Sequence, residues 1–174
     1  MPWLHVVQLD TSRLILEPLE PRYTTEMVPV LAAPELYAFT GGEPPSEDNL
    51  RARYERQSVG HSPTNDAGWL NWVIRTRETG VAIGYVQATL MVDDDVLVAD
   101  VAWLVTPSAQ NQGFAVEASN TMLAWLFTHH VRTVRALIHP AHDASARTAQ
   151  HLGLIPTSVV VDDELLWERT ENLD

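Results

Sequence analysis

The sequence VLVADVAWLVTPSAQNQGFAVEASNTMLAWLF, residues 96–127, decides how the rest of the chain is arranged. Its first part favours a β-strand, because β-branched residues recur along it and it ends at the turn signal Thr106-Pro107. A polar segment follows and closes at Gly113, after which apolar residues return at helical spacing. We therefore predict a strand, a tight turn and an amphipathic helix in direct succession.

The start of that helix is predicted to bind an anion through backbone groups. The first four N–H groups of a helix have no acceptor within it, and they carry the positive end of the helix dipole. Gly113 can adopt a positive φ and lets a ligand approach closely. The first turn contains no lysine or arginine, so the binding capacity has to come from the backbone. The predicted apolar face consists of Ala115, Ala118, Met122, Trp125 and Leu126, with Glu117, Asn120 and Thr121 on the other side.

The composition of the chain excludes several classes of protein. Eleven basic residues against 23 acidic ones give a net charge of −12, which argues against a nucleic-acid ligand, because neutralising phosphates requires clustered basic residues. A cationic amine is an easier partner for such a chain. The absence of cysteine excludes disulfides, thiolate metal sites and a cysteine nucleophile. No apolar run approaches the roughly 20 residues of a transmembrane helix, and the N-terminus lacks a basic leader, so we expect no membrane partner. The chain is expected to be a cytoplasmic, soluble protein with one domain, residues 1–174.

Further strands and helices are predicted on both sides of the central stretch. Gly84 lies within one of the strands and indicates a bulge or a close approach of two backbones. The early strands are expected to pair antiparallel, and the central helix to form a β-α-β crossover. This predicts an α/β (α+β) fold with a mixed, mostly antiparallel twisted sheet of about six to seven strands and helices on both faces. Besides the central strand and helix, the expected strands are one from Leu14 that ends at Pro18 or Pro21, Trp69–Thr76, Val81–Leu90, Val131–Ile138, Leu154–Val161 and Glu164–Glu168, and the expected helices are Tyr23–Leu31, Glu47–Gln57 and Asp143–Leu152.

The turn before the central helix resembles a known cofactor loop. The segment Gln110-Asn111-Gln112-Gly113-Phe114-Ala115, followed by Glu117-Ala118 and preceded by a strand that ends at Pro107, is similar to the acetyl-CoA diphosphate loop of the GNAT superfamily of N-acetyltransferases. The segment Thr11-Ser12-Arg13-Leu14-Ile15-Leu16-Glu17-Pro18-Leu19 is similar to the opening strand of the RimJ/RimL-like branch, the ribosomal-protein N-acetyltransferases. The resemblance extends from Thr11 to about Trp167. It implies acetyl-CoA-dependent transfer of an acetyl group to a primary amine, either a protein N-terminus or a small molecule.

The resemblance also implies which residues hold the acetyl donor. Backbone groups near Leu104 and Val105 are expected to pair with the pantetheine arm. The side chains of Gln110 and Asn111 are further candidates. The N–H groups expected to cradle the diphosphate belong to Gln112, Gly113, Phe114 and Ala115.

Three residues are candidates for the chemistry. Asp100 occupies the place where many relatives carry a glutamate, so it is either the base that deprotonates the amine, directly or through water, or a solvated aspartate at a strand edge. Ser145 matches the serine that the RimL-like branch places near the CoA sulfur, and its alternative role is a helix cap. His142 stands where the family has asparagine, and it is a candidate both for contact with pantetheine and for proton transfer. A tyrosine that other relatives use one turn later is Ala149 here.

Several alternatives remain open at this point. The same fold can serve as a non-catalytic CoA-binding or partner-binding module, and the amine can belong to an antibiotic or a metabolite. Two copies can pair as a homodimer through an exposed strand edge or the closing hairpin. The histidines lack the spacing of a metal site, so no metal is expected.

The resemblance places the acceptor beside the first two helices and the loop of residues 38–46. Among the tryptophans, Trp103 and Trp125 are expected in the core. Trp69 and Trp72 lie on opposite faces of one strand, so at least one is expected beside the acceptor.

Overall fold

The computed structural model describes residues 2–171 and contains one mixed sheet. Its eight strands lie in the order β1-β2-β3-β4-β5-β6-β8-β7, and the only parallel pair in this described part is β5 with β6. The predicted mostly antiparallel sheet is therefore confirmed. The strands are β1 Leu9–Asp10, β2 Leu14–Pro18, β3 Gly68–Thr76, β4 Ala82–Asp93, β5 Val96–Val105, β6 Val131–Ile138, β7 Ile155–Val161 and β8 Glu164–Thr170.

Helices cover both faces of the sheet, as predicted. The helices are α1 Thr24–Val30, α2 Glu47–Gln57, α3 Phe114–Thr128 and α4 Asp143–His151. On one face α3 and α4 bury the larger apolar cluster, which contains Trp72, Met122 and Leu126. On the other face α1 and α2 bury a smaller cluster around Met27, Leu50 and Tyr54. Burial of these side chains supplies most of the driving force for folding.

Local signals set the ends of several elements. The helix α2 has the predicted bounds because the Ser46 hydroxyl accepts a hydrogen bond from the Asn49 N–H at 3.2 Å and so caps its first turn. The hairpin between β4 and β5 turns at Asp94 and Asp95, which have φ values of 47° and 64°. Such paired positive values fit the twist of a two-residue hairpin.

Other boundaries differ from the prediction. The sheet has eight strands rather than six to seven, because the two residues of β1 pair with β2 although they are too few to show a periodicity. The first helix begins at Thr24, after a 3₁₀ turn at Pro21–Tyr23. The strand β4 runs on to Asp93, so it is longer than expected.

Gly84 allows the close backbone approach that its position in a strand predicted. Its register partner on β5 is Val105, and an added Cβ would collide with the carbonyl oxygen of Leu104. The ladder between β3 and β4 also shifts register between Ile74 and Arg75, which marks a bulge beside Gly84. Both features lie beside the end of β5, where the candidate site begins.

No helix within residues 2–171 is both long and apolar enough to cross a lipid bilayer.

Candidate functional site

A cleft opens where the two parallel strands of the sheet separate. The strand β5 pairs with β6 only from Leu97 to Asp100. Beyond that point the residues 101–105 of β5 and 136–138 of β6 line a cavity of about 730 Å³. Backbone groups that would have completed the ladder are therefore free to bind a ligand between the strands.

The start of α3 forms one wall of this cavity. Gly113 has a φ of 79° and is the N-cap, so its predicted left-handed conformation is confirmed. The N–H groups of Phe114, Ala115 and Val116 have no hydrogen-bond acceptor among residues 2–171, and all three residues line the cavity. A helix start of this kind, open to a cavity and without a side-chain cap, is suited to an anion. The prediction named the N–H groups of Phe114 and Ala115, together with those of Gln112 and Gly113, but did not include Val116.

The loop before Gly113 is held in place by side chains. The Gln110 amide donates to the Val105 carbonyl at 2.9 Å, which ties the loop to the end of β5. Asn111 lines the cavity and has a φ of 60°, a conformation that asparagine tolerates better than most residues. Gln112 is not among the residues that line the cavity. The carbonyl of Val105 therefore already has a protein partner, and Leu104 is the ladder partner of Tyr85 on β4.

An arginine reaches this loop from another part of the chain. Arg13, one residue before β2, donates from Nη1 to the Gln112 carbonyl at 3.0 Å and from Nε to the Glu117 carboxylate at 3.0 Å. Its guanidinium carbon lies 4.4 Å from the ring centroid of Phe114. The first turn of α3 lacks a basic residue, as the sequence indicated, but the folded loop does have one beside it.

Ser145 and His142 lie together in the cavity. His142 is the N-cap of α4 and makes no capping side-chain bond, so Ser145 is not the cap of this helix. The Ser145 hydroxyl lies 3.4 Å from His142 Nε2, which makes a long hydrogen bond. Both residues line the cavity. The structure therefore brings together two of the three candidates for the chemistry.

The environment of His142 favours the neutral imidazole. Its ring stacks on Phe39 with centroids 4.5 Å apart and an interplanar angle of 15°. Burial lowers the pKa of His142, the nearby His139 lowers it further, and Asp143 raises it. A neutral ring can both accept and donate a proton, which suits proton transfer next to Ser145.

Asp100 lies apart from these groups. Its carboxylate accepts a hydrogen bond from Arg135 Nε at 2.8 Å, and half of its side chain is exposed. It is the register partner of Arg135 in the paired part of β5 and β6, before the strands separate. Because Asp100 does not line the cavity, the structure does not bring it together with Ser145 and His142.

Aromatic residues that the sequence analysis had not singled out also line the cavity. Phe39 comes from the loop of residues 38–46, Tyr37 precedes it, and Tyr85 lies on β4 opposite Leu104. The Tyr37 hydroxyl donates to the Leu31 carbonyl at 2.8 Å. Burial raises the pKa of Tyr85, which therefore stays protonated at neutral pH. Two sequence signals point to this group: Tyr85 follows Gly84 in a strand with a predicted bulge, and Phe39 belongs to the loop that the resemblance places beside the acceptor.

The tryptophans agree with the expectations only in part, since Trp103 and Trp125 are partly buried and pack against the main core cluster. Trp103 is only half-buried and lines the cavity. Trp72 is fully buried in the core and its Nε1 donates to the Val7 carbonyl at 2.7 Å. Trp69 lies beside a separate small hollow at the other end of the strand. The expectation that Trp69 or Trp72 borders the cleft is therefore wrong. Trp125 is half-buried and packs edge-on against Trp72.

These features of the fold and the cavity define a class of protein. It is an α/β protein in which an uncapped helix start, the separated ends of two parallel strands and a serine–histidine pair line one cavity. Within residues 2–171 no three histidine, aspartate or glutamate side chains gather to form a metal site.

Comparison with known proteins identifies the family. The family model described as "Acetyltransferase (GNAT) domain" matches residues 13–155, and the chain therefore belongs to the GNAT family of acetyltransferases. No curated protein matches the chain significantly.

Solved structures share the fold at low sequence identity. A protein of Bordetella pertussis assigned to this family is 23% identical with a TM-score of 0.70, over 95% of this chain and 100% of the other. RimL, a ribosomal L7/L12 α-N-protein acetyltransferase solved with coenzyme A, is 10% identical with a TM-score of 0.76, over 94% and 98%. The microcin C7 self-immunity acetyltransferase MccE, solved with acetyl-CoA and AMP, is 11% identical with a TM-score of 0.74, over 92% and 94%. At these identities the structures support the GNAT fold and do not single out the RimJ/RimL-like branch.

Proposed function

We propose that this protein is an acetyl-CoA-dependent N-acetyltransferase that acts on a primary amine. The observation that carries the proposal is the single cavity that joins the open start of α3, the separated ends of β5 and β6, and the Ser145–His142 pair. The same fold holds CoA in RimL and acetyl-CoA in MccE, which supports this donor for the present chain.

The lining residues fit the donor in chemistry. The unpaired N–H groups of Phe114, Ala115 and Val116 suit the diphosphate, and Gly113 presents no side chain that would keep it away. The facing edges of β5 and β6, which do not pair beyond Asp100 and Arg135, suit the amide groups of the pantetheine arm. Arg147 on α4 also lines the cavity and offers a cation for a further phosphate group.

The transfer itself requires no covalent enzyme intermediate. The neutral amine attacks the thioester carbon, so that a C–N bond forms while the C–S bond breaks. The sulfur leaves with the bonding electron pair and takes the proton of the Ser145 hydroxyl. The neutral His142 imidazole takes up the proton that the attacking nitrogen releases, and the imidazolium so formed returns a proton to the serine oxygen through the 3.4 Å contact. Holding both reactants in one cavity supplies much of the remaining rate enhancement.

The amine must lose one proton before it attacks. An alkyl amine has a pKa near 10.4, so deprotonation at pH 7 costs about 4–5 kcal/mol. Asp100 is left out of this step because its carboxylate pairs with Arg135 outside the cavity. Glu35 lines the cavity and attracts the cationic amine, and water in the open cleft carries the proton away.

The acceptor end of the cavity favours an amine with an apolar or aromatic neighbour. Phe39, Tyr37 and Tyr85 offer ring faces there, and such faces attract cations as well as apolar groups. A protein N-terminus and a small amine, such as an antibiotic or a metabolite, both satisfy this chemistry. The resemblance of the segment 11–19 to the RimJ/RimL-like branch favours the N-terminus.

A second candidate function is that of a CoA-binding module without turnover. It is favoured by Ala149, which is fully buried where other relatives carry a catalytic tyrosine, and by His142 in place of asparagine. Release of CoA thiol distinguishes the two candidates, and the assay has no protein background because the chain contains no cysteine. Turnover with a panel of short peptides and small amines supports the enzyme. Stabilisation by CoA without thiol release supports the module. If CoA neither stabilises the protein nor is released as a product, both candidate functions are contradicted.

The last strand of the sheet supports pairing of two copies. The strand β7 lies at the sheet edge, where Ile155 and Val160 are exposed by 69% and 60%. An exposed apolar edge strand is a common template for pairing. Light scattering would detect the dimer, and Val160→Lys should return it to a monomer. A wild-type protein that is monomeric at high concentration contradicts this part of the proposal.

A further inference from the structure

Arg13 connects the first strands to the start of the central helix. Besides its bonds to the Gln112 carbonyl and to Glu117 Oε1, it belongs to a network in which the Thr11 hydroxyl donates to Glu117 Oε2 at 2.8 Å. Both carboxylate oxygens of Glu117 are thus engaged by residues that lie more than 100 positions earlier in the chain. The guanidinium also covers the ring of Phe114.

This network offsets negative charge at the start of α3. Glu117 lies in the first turn of α3, within one turn of the N–H groups that face the cavity. Its negative charge is favourable to the helix dipole, but it repels a diphosphate bound at the same place. The carbonyl of Gln112 has the same unfavourable sign. Arg13 is bonded to both groups. It neutralises the charge of the Glu117 carboxylate and holds the Gln112 carbonyl in place.

We propose that Arg13 is a positioning residue for the diphosphate of the acyl donor. It keeps the Gln112 carbonyl bonded to its own guanidinium and offsets the charge of Glu117, so that the field at Phe114 and Ala115 is positive. Its Nη2 lies beside Gly113, where an added Cβ would come within 3.4 Å of it. The inference rests on the proposed function, because it concerns the phosphate-bearing end of acetyl-CoA.

The test compares a donor that has the diphosphate with one that lacks it. Arg13→Ala should weaken CoA binding by about 5- to 30-fold in a calorimetric titration, because hydrogen bonds to charged groups and an uncompensated carboxylate are involved. The kcat/KM for acetyl-pantetheine, which carries no phosphate, should stay within about twofold of the wild type. In the Arg13→Ala background, Glu117→Gln should restore part of the CoA affinity, since it removes the uncompensated charge.

Arg77→Ala is the matched control. Arg77 also ties down the chain near Thr11, through the Thr11 carbonyl at 2.9 Å and Asp10 at 2.6 Å, but it does not contact the loop. It should leave CoA affinity unchanged, and melting temperatures of all variants report on folding.

The outcomes separate this inference from the proposed function. If the wild type binds CoA and Arg13→Ala binds it equally well, the inference alone is overturned. The inference is also overturned if Arg13→Ala lowers the kcat/KM for acetyl-pantetheine as much as it lowers the CoA affinity. It is overturned as well if Glu117→Gln restores no CoA affinity in the Arg13→Ala background. Both results indicate a general structural role. A wild type that binds no CoA overturns both.

Discussion

The carbonyl oxygen of Leu104 occupies the space that a side chain on Gly84 would need. Leu104 is the register partner of the next residue, Tyr85. The close contact therefore fixes the position of Tyr85 relative to the end of β5, and both line the cavity. Only glycine permits this approach of β4 to β5, because any Cβ at position 84 would meet backbone rather than a movable side chain.

Gly84→Ala is therefore expected to be strongly destabilising. The strands must move apart, and overpacking of this kind lowers the free energy of unfolding by about 1–3 kcal/mol or more. Urea denaturation measures the loss. Gly41→Ala is the control, because Gly41 has a φ of 74° but nothing within 4 Å of an added Cβ, so it reports backbone strain without collision. Equal effects of the two substitutions would contradict the interpretation of the Leu104 contact.

Ser145→Ala should lower kcat by about 100-fold, because the departing sulfur loses its nearest proton donor. The KM for acetyl-CoA should change little, since Ser145 is not part of the helix start that suits the diphosphate. Steady-state thiol release at saturating acetyl-CoA measures both constants. An unchanged kcat would mean that the sulfur leaves without a proton from this residue.

Asp100→Ala should leave the kcat and its pH profile nearly unchanged. The side chain lies outside the cavity and is half exposed, so its ion pair with Arg135 contributes at most about 1 kcal/mol to stability. Thiol release between pH 6 and pH 9 compares the variant with the wild type. Loss of activity that tracks a single ionisation would restore Asp100 as the base.

The sequence was informative wherever the deciding interaction is local. The strand β6 and the helix α2 have their predicted bounds, and the interaction that starts α2, the Ser46 cap, lies within a few residues of the helix. The left-handed Gly113 follows in the same way from a single turn.

The features that could not be predicted from the sequence depend on contacts between residues far apart in the chain. Arg13 meets Glu117 only after β2 has docked beside β3 and α3 has packed on the sheet, and no local pattern carries that information. The same holds for Phe39, whose loop reaches the cavity through its contact with His142. Asp100 was expected near the chemistry from its place on the strand, but the point where β5 and β6 separate lies just beyond it.

His142 should make the stability of the protein depend on pH. Its pKa is lowered in the folded state, chiefly by burial, relative to about 6.5 in the unfolded chain. Between these two values the unfolded chain binds more protons than the folded one, so the free energy of unfolding falls as the pH drops below about 6.5. The loss levels off below the folded pKa. Protonation also places a charge in the ring that stacks on Phe39 and removes the capacity of the ring to accept a proton, so activity should decline over the same range.

Melting temperatures of the wild type and of His142→Gln, recorded from pH 5 to pH 8, measure this contribution. The variant cannot gain the proton, so its melting temperature should vary less between pH 5 and pH 6.5 than that of the wild type. His5→Gln is the matched control, because His5 is exposed and does not line the main cavity. It should retain the full wild-type slope. Identical slopes in all three proteins would show that the burial of His142 has no thermodynamic consequence, and the role of its neutral ring in proton transfer would lose its basis.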